Sequence, residues 1–186
     1  MAQRVCPWWI GYLLASPIRR WLSDSPESIL APYIRPGMIV LEPGPGMGYY
    51  TLPMARIVGP AGRVIAVDIQ PRMLASLKRR TRKAGLLDRI DLRLAEPDRM
   101  GLDDLGGAAD FALAFAVVHE TLSPAAFFGE IAAALKPGAL LLFAEPAGHV
   151  KPQAFESELE AAKAVGLVEV SRPSIRRTIA AVLKKL

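Results

Sequence analysis

Residues 38–48 read MIVLEPGPGMG, and this stretch decides how the rest of the chain is interpreted. Its first half is an apolar run that ends in an acid, Glu42, as in a strand buried on both faces of a parallel sheet. Its second half places glycines at positions 44, 46 and 48, where the lack of a Cβ allows tight turning and the close approach of a ligand. We therefore predict a buried strand followed by a ligand-binding turn.

The glycine spacing excludes two common nucleotide-binding motifs. A dinucleotide fingerprint has the pattern Gly-x-Gly-x-x-Gly, which would put its third glycine at position 49, and that residue is Tyr49. A phosphate-binding P-loop has Gly-Lys-Ser/Thr after its glycines, and no such sequence follows. The turn therefore belongs to neither motif.

The alternation of strand and helix continues to the end of the chain. Apolar runs typical of strands lie at 63–67, 90–95, 111–118, 139–144, 167–170 and 179–183, and helical spacing lies at 49–58, 71–84, 124–135 and 156–165. Strands separated by helices imply right-handed crossovers and a doubly wound α/β sheet with helices on both faces. Ligands of such sheets bind at the carboxyl ends of the strands, where we expect the functional residues.

The composition favours one globular domain. The chain has 186 residues, of which 52% are hydrophobic and 22% charged, so a disordered protein is excluded. Its single cysteine, Cys6, excludes an intrachain disulfide scaffold and favours the reducing cytoplasm. The net charge of +5 permits binding to nucleic acid without requiring it.

Glu42, the three glycines and Asp68 together resemble the first motifs of the class I S-adenosylmethionine-dependent methyltransferases. That family has the pattern acid-x-Gly-x-Gly-x-Gly after its first strand and a second acid at the tip of the next strand, where Asp68 lies twenty residues after Gly48. The segments 109–119 and 135–138 also resemble the family's fourth strand and the turn before its fifth. The resemblance implies a Rossmann-like, seven-stranded mixed sheet with an antiparallel last strand over residues 25–186.

The same resemblance implies S-adenosylmethionine as the cofactor. The cofactor would lie over residues 42–48, with Glu42 near its cationic ammonium and sulfonium and Gly48 against the ribose. Asp68 would accept hydrogen bonds from the ribose hydroxyls, and an acid after the third strand would bind the adenine amino group. One departure from the family's usual pattern is proline at both spacer positions, 43 and 45, which stiffens the turn and removes two backbone donors. The expected cofactor-binding residues are Glu42, Gly44, Gly46, Gly48, Asp68, Glu96 and Asp98.

The two histidines of the chain, His119 and His149, follow the predicted fourth and fifth strands. They are candidate catalytic residues, because imidazole is a suitable general base when the acceptor starts protonated. A capping or pocket-lining histidine is the alternative. Tyr49 and Tyr50 are candidates to face the sulfonium or the acceptor, with packing as the alternative for one of them. No spacing typical of a metal site is present, and we expect none.

Residues 1–24 precede the predicted domain and are rich in aromatic side chains. The segment imitates a signal peptide, but it has no small-x-small cleavage site and falls short of the ~20 apolar residues that span a bilayer. We expect an aromatic lid or docking segment in which Trp8 and Trp9 contact the acceptor. The alternative is a helix packed permanently on the body.

The basic run at 78–83 is the feature that favours nucleic acid. It lies at the C-terminal end of a predicted helix, where cations are stabilised by the helix dipole and solvated, so we do not expect nucleic acid as a partner. The sequence predicts a cytoplasmic enzyme, monomeric or homodimeric and without a membrane span, that methylates a small-molecule acceptor. The alternatives are an RNA or protein methyltransferase that uses residues 78–83, and a non-catalytic cofactor-binding protein.

Overall fold

A computed structural model describes residues 24–186 as a mixed sheet with helices on both faces. The strands are β1 (Ile39–Pro43), β2 (Arg63–Asp68), β3 (Ile90–Leu94), β4 (Ala109–Phe115), β5 (Leu135–Pro146), β6 (Leu167–Ser171) and β7 (Thr178–Lys185). Their order in the sheet is β3-β2-β1-β4-β5-β7-β6. Strands β1 to β5 run parallel to one another, whereas β7 is antiparallel to its neighbours β5 and β6. The predicted seven-stranded mixed sheet with an antiparallel last strand is confirmed.

The helices are α1 (Pro26–Leu30), α2 (Thr51–Val58), α3 (Pro71–Lys83), α4 (Pro124–Ala134) and α5 (Pro152–Ala164), and short 3₁₀ turns cover Leu87–Arg89, Asp103–Leu105 and Val118–Glu120. Two of the helices begin at a Ser-Pro pair in which the serine hydroxyl oxygen accepts from a backbone N–H, as an N-cap does. The helices bury their apolar sides on opposite faces of the sheet, α1 to α3 on one and α4 with α5 on the other.

Alternate residues of the central strands serve the two faces. Val40 and Leu41 are both fully buried, yet Val40 packs with the α1 to α3 face and Leu41 with the α4 and α5 face. Because successive side chains of a strand point to opposite faces, a strand covered on both sides must be apolar throughout. This explains the continuous apolar run that precedes Glu42.

Two predicted strands have the wrong bounds, and the helix expected over 156–165 begins earlier, at Pro152. The strand expected over 111–118 ends at Phe115, because Ala116 adopts a left-handed backbone conformation (φ 57°) and a 3₁₀ turn follows. The strand expected over 139–144 begins at Leu135, directly after α4, because Leu135 pairs with Ala109 ahead of a register shift. Because β4 ends at Phe115, residues 116–123 turn away from the strand and cross the carboxyl end of the sheet, where ligands are expected to bind.

The N-terminal predictions lie almost entirely outside the described residues. These predictions concern the lid over residues 1–24 and its acceptor contacts, Trp8 and Trp9, of which only residue 24 is described. Within residues 24–186, no helix has the length and apolar character needed to cross a bilayer.

Candidate active site

A cavity of about 210 Å³ lies at the carboxyl ends of the parallel strands. Its walls are the glycine turn after β1, the ends of β2 and β3, the turn after β4 and the first turns of α3 and α4. The strand order reverses between β1 and β4, which is where open α/β sheets bind ligands. The topology therefore brings together the segments in which the sequence analysis expects function.

The three glycines of the turn have different surroundings. A Cβ at Gly44 (φ 68°) would lie 2.6 Å from Cγ2 of Val117, so the turn after β1 packs directly on the turn after β4. A Cβ at Gly46 (φ 54°) would meet no heavy atom within 4 Å, and this residue lines the cavity. The backbone at Gly46 is therefore open to a closely approaching ligand.

Gly48, which we expected against the ribose, does not line the cavity. A Cβ on this residue (φ 86°) would collide with the side chains of Leu52 and Leu77, and Gly48 is not among the cavity residues. The last glycine of the motif lets the turn pack on α3, and it acts on the cavity only through the shape of the turn.

Asp68 lies at the end of β2 and lines the cavity while remaining 8% exposed. Its Oδ1 accepts from the backbone N–H of Gln70 at 2.8 Å, and its Oδ2 accepts from that of Gly46 at 3.3 Å. Burial raises the pKa of this carboxyl to about 6 against the lowering effect of these bonds, and the charge of Glu120 raises it further. Asp68 is thus an anion at neutral pH and suited to accept hydrogen bonds from vicinal hydroxyls.

Glu42 lies beneath the turn, and it is not among the cavity residues. Its Oε2 accepts a 2.5 Å hydrogen bond from the hydroxyl of Thr51. Burial raises the pKa of Glu42 to about 8, the Thr51 bond lowers it and the charge of Asp68 raises it. In the ligand-free protein Glu42 supports the turn through Thr51, and its direct contact with the cofactor stays a prediction.

Glu96 and Asp98 lie in the turn after β3, exposed along one wall of the cavity. Reciprocal backbone hydrogen bonds between residues 96 and 99 tighten this turn. Glu130 of α4 then holds its far end, because its carboxylate accepts from the backbone N–H groups of Met100 and Gly101 at 2.9 to 3.0 Å. The sequence analysis missed Glu130, since its partners lie about thirty residues away and no local pattern marks it.

The two histidines come together at the ends of β4 and β5, as their positions predicted. Their ring centroids are 4.9 Å apart in an edge-to-face arrangement, with His149 exposed and His119 half-buried. Neither imidazole lines the cavity, but the next residue after His119, Glu120, does. The histidines therefore flank the cavity instead of forming its wall.

Glu145, at the end of β5, is fully buried and organises the turn that carries His119. Its Oε1 accepts from the backbone N–H groups of Val118 (2.8 Å) and His119 (3.2 Å), and its Oε2 lies 2.6 Å from Nδ1 of His119. The sequence places Glu145 at the end of a predicted strand, where functional residues are expected, but no motif gives it a role. The available signal was its place as the acid that ends a buried strand, a place that Glu42 and Asp68 share.

Burial and charge act in opposite directions on His119. Burial by itself lowers the pKa of this imidazole, but the hydrogen bond and charge of Glu145 and the charges of Glu120 and Glu158 raise it above the ordinary value. Glu158, on α5, is 8% exposed, and its Oε2 is buried without a hydrogen-bond partner. Burial and the charge of Glu145 raise the pKa of Glu158 to about 7, and His119 lowers it.

The tyrosines after the glycine turn are not cavity residues. Tyr50 is buried, and its ring packs on Phe115 at 4.6 Å and edge-on against Tyr49 at 5.1 Å. Tyr50 therefore packs in the core, which was one of its two predicted roles, and its contact with an acceptor stays a prediction. Tyr49 is half-buried beside it.

The charge of the cavity walls fits the expected cofactor. Among the described residues, Arg99 is the one basic residue that lines the cavity, against five acids: Asp68, Glu96, Asp98, Glu120 and Glu130. A ligand with sulfonium and ammonium groups is attracted to such walls. Apolar side chains such as Met73 and Phe127 offer a surface for a purine ring. Residues 24–186 contain no cluster of three or more His, Cys, Asp or Glu side chains arranged to hold a metal ion.

A doubly wound sheet with a glycine turn after β1, an acid at the end of β2 and an acidic cavity between them defines a Rossmann-like nucleoside-binding fold. Residues 41–143 match the family model described as "Methyltransferase domain". The chain belongs to this family, which confirms the predicted class, with S-adenosylmethionine as the methyl donor.

Relatives of known sequence match parts of the chain. An uncharacterized 37.1 kDa protein in transposon TN4556 of Streptomyces fradiae is 32% identical over 112 residues, covering 60% of this chain and 31% of that protein. The dimethyladenosine transferase of Saccharomyces cerevisiae is 40% identical over 63 residues, covering 34% of this chain and 19% of that protein. The chain thus spans less than a third of the length of these relatives.

A solved structure matches nearly the whole fold. The crystal structure of a SAM dependent methyltransferase from Aquifex aeolicus superposes with a TM-score of 0.86 and covers 98% of this chain and 100% of that one. The sequence identity is 23%, so this likeness concerns the fold.

Proposed function

We propose that this chain transfers the methyl group of S-adenosylmethionine to a small acceptor that is neutral or cationic. The observation that carries the proposal is the acidic cavity at the ends of β1, β2 and β4, into which Gly46 presents bare backbone beside the carboxylate of Asp68. This arrangement suits a nucleoside that bears positive charge.

Each wall of the cavity has a role in binding the cofactor. Asp68 accepts hydrogen bonds from the ribose hydroxyls, and each such bond to a charged group contributes about 1.5–3 kcal/mol. Glu96 or Asp98 binds the adenine amino group from the turn that Glu130 clamps. Gly44 and Gly48 shape the glycine turn, and Glu42 supports it from below.

When bound, S-adenosylmethionine supplies an electrophilic methyl group that is transferred by in-line displacement. The protein's part is to align the acceptor with that methyl group and to exclude water. His119 and His149 lie at the ends of the strands next to the cavity, where we place the acceptor. Under this proposal His119 is the general base, and His149 is the more exposed wall of the acceptor site.

The charges near the cavity favour a small acceptor over a nucleic acid. A phosphodiester backbone would approach five acids and one arginine, and nucleic-acid sites depend on the opposite sign. In the basic run, Lys78, Arg82 and Lys83 are exposed on α3, whereas the guanidinium of Arg80 donates to the carbonyl of Met47 in the glycine turn. This arginine stabilises the turn instead of offering its charge to a partner.

An RNA methyltransferase is the second candidate function, favoured by the exposed cations of α3. The yeast relative is named a dimethyladenosine transferase, and adenosine is a nucleoside of RNA. An RNA methyltransferase requires RNA binding that weakens steeply with salt. Binding to a transfer RNA or ribosomal RNA fragment between 50 and 200 mM salt separates the two proposals. A flat or undetectable response supports the small acceptor.

Calorimetry with S-adenosylmethionine, S-adenosylhomocysteine and NAD tests the cofactor part of the proposal. We expect binding of both adenosyl ligands and none of NAD, and the reverse pattern refutes the proposal. Transfer of a labelled methyl group into a fractionated extract of small metabolites then tests the reaction. Cofactor binding without transfer to any fraction indicates the non-catalytic alternative.

A further inference from the structure

Three side chains form a row from the interior of the protein to the edge of the cavity. Glu145 is buried at the end of β5, its Oε2 lies 2.6 Å from Nδ1 of His119, and the other ring nitrogen of His119 lies 3.9 Å from Oε1 of Glu120. Glu120 is the member that lines the cavity. The row therefore connects a buried carboxylate to the ligand site through an imidazole.

The hydrogen bonds of Glu145 determine which nitrogen of His119 carries the proton. Two backbone N–H groups donate to its Oε1, an arrangement that favours the ionised carboxyl. An ionised Oε2 can only accept, so in that form its 2.6 Å contact with His119 places the imidazole proton on Nδ1. A neutral imidazole has one N–H, and placing it on Nδ1 leaves the lone pair on Nε2. That lone pair is directed away from Glu145, on the side of Glu120.

The distance from Nε2 to Oε1 of Glu120 suits an acceptor placed between them. At 3.9 Å it is too long for a direct hydrogen bond, but one oxygen or nitrogen atom 2.8 Å from both would subtend an angle of roughly 90°. The side chains of His119 and Glu120 are 17% and 21% exposed, so both are partly accessible and partly shielded from water.

We propose that Glu145 is a positioning residue that holds His119 as the proton acceptor of the reaction, and that the methyl acceptor is a hydroxyl or N–H compound. The inference rests on the proposed function. A lone pair of the acceptor oxygen or nitrogen forms the new bond to the methyl carbon. The carbon–sulfur bond breaks with its electron pair on sulfur, which leaves S-adenosylhomocysteine, and the acceptor's proton passes to Nε2 of His119.

The charged groups around His119 all belong to this cluster. Glu145 of β5, Glu120 of the same 3₁₀ turn and Glu158 of α5 favour the imidazolium that forms when the proton arrives. His149 packs edge-on against the ring, with the two centroids 4.9 Å apart. The cluster thus strengthens His119 as a base.

Proton–nitrogen NMR spectra of the imidazole rings test the positioning role without any acceptor. The chain has two histidines, and the His149→Gln variant assigns the signals. We expect neutral His119 to carry its proton on Nδ1. We also expect its titration midpoint to move to lower pH in Glu145→Gln, with loss of the single tautomer. Glu156→Gln, which removes an exposed acid from the same helix as Glu158, is the control for charge and should change neither property.

A proton on Nε2 in the wild-type protein overturns the positioning role, as does a Glu145→Gln titration that matches the wild type. If the Glu145→Gln variant does not fold, the tautomer of His119 in the wild-type protein is sufficient to test the positioning role. Calorimetry with S-adenosylmethionine accompanies these spectra. If the wild-type protein does not bind the cofactor, the proposed function is refuted, while the NMR result on the positioning role of Glu145 is unaffected.

Matched pairs of probe acceptors test the acceptor class in the wild-type protein. Phenol and aniline carry a proton on the nucleophilic atom, whereas thioanisole and pyridine do not. We expect labelled methyl transfer to phenol or aniline alone, with a rate that rises with pH and a lower kcat in Glu145→Gln at an unchanged KM for S-adenosylmethionine. Transfer to thioanisole or pyridine at an equal rate overturns this acceptor class, and so does the absence of transfer to both proton-bearing probes.

Discussion

Asp68 accepts a hydrogen bond from the backbone N–H of Gly46, so the acid at the end of β2 and the turn after β1 form one binding unit. The two residues are 22 positions apart, and the parallel pairing of β1 with β2 brings them together. The same carboxylate also accepts from Gln70 at the start of α3. Its position is therefore set by three neighbouring segments before any ligand arrives.

Replacing Asp68 tests its role in binding the cofactor. We expect Asp68→Asn to weaken binding of S-adenosylmethionine by about 10- to 100-fold, because the charge-assisted bonds to the ribose are lost. Calorimetry measures the affinity, and the melting temperature shows whether the variant folds. Asp88→Asn, an exposed acid in a turn outside the cavity, is the control and should bind as the wild type does. Equal affinities for Asp68→Asn and the wild type would show that another residue holds the ribose.

The raised pKa of Asp68 predicts how cofactor affinity depends on pH. Its carboxyl titrates at about 6 in the free protein and accepts hydroxyl protons only when ionised. Affinity should be constant between pH 7 and 8 and fall as the pH drops below 6, approaching tenfold per unit. Calorimetry across this range measures the effect. In Asp68→Asn the affinity should no longer fall at low pH. If it still fell, a group other than Asp68 would cause the pH dependence.

The raised pKa of Glu42 predicts that the stability of the fold falls as the pH rises, whereas the cofactor affinity set by Asp68 falls as the pH drops. Burial holds its pKa at about 8 in the folded protein, against an ordinary value of 4.5, so the folded state keeps a proton that the unfolded chain releases. This costs stability as the pH rises from 4.5 to 8. Glu42→Gln keeps an acceptor for Thr51 without the acid. It should therefore melt several degrees above the wild type at pH 8 and close to it at pH 5.

Thermal unfolding of both proteins at the two pH values measures this difference. Glu160→Gln, an exposed acid on α5, is the control and should show no such divergence. If Glu42→Gln and the wild type lost stability in parallel between pH 5 and 8, the protonated state of Glu42 would be refuted.

The glycines at 44 and 46 predict two different kinds of defect. Gly44→Ala forces a methyl group against Val117 in a left-handed conformation and should destabilise the fold by about 1–3 kcal/mol. In Gly46→Ala the new methyl group meets no neighbour, so this variant should lose less stability. The methyl group would occupy space that the ligand needs, and we expect weaker cofactor binding.

Melting temperatures and cofactor affinities of both variants separate these effects. Adding Val117→Ala to Gly44→Ala should recover part of the lost stability, because it removes the atom that the new methyl group meets. Equal losses of stability in the two single variants would contradict the assignment.

Local patterns in the sequence were sufficient for a doubly wound α/β sheet, the glycine turn and the position of Asp68, whereas the antiparallel last strand was implied by the family resemblance. A strand buried on both faces must be apolar along its length, as residues 38–41 are, and alternate glycines mark backbone that turns tightly. The acid twenty residues after Gly48 then had to lie at the end of the neighbouring strand. The end of β4 and the start of β5 were predicted at the wrong residues. The left-handed turn at Ala116 and the early pairing of Leu135 depend on neighbouring strands.

The sequence by itself determined that a glycine turn and an acid would meet at the carboxyl ends of parallel strands, since both are properties of short segments with a fixed spacing. Only the tertiary structure decided that Glu42 lies buried under the turn, that Glu130 clamps the turn after β3, and that Glu145 holds His119. Glu130 and Glu145 find partners 26 to 30 residues away, which the order of the strands and helices brings within hydrogen-bonding distance. Burial and charge at those meeting points then set the pKa of His119, and no local pattern contains that information.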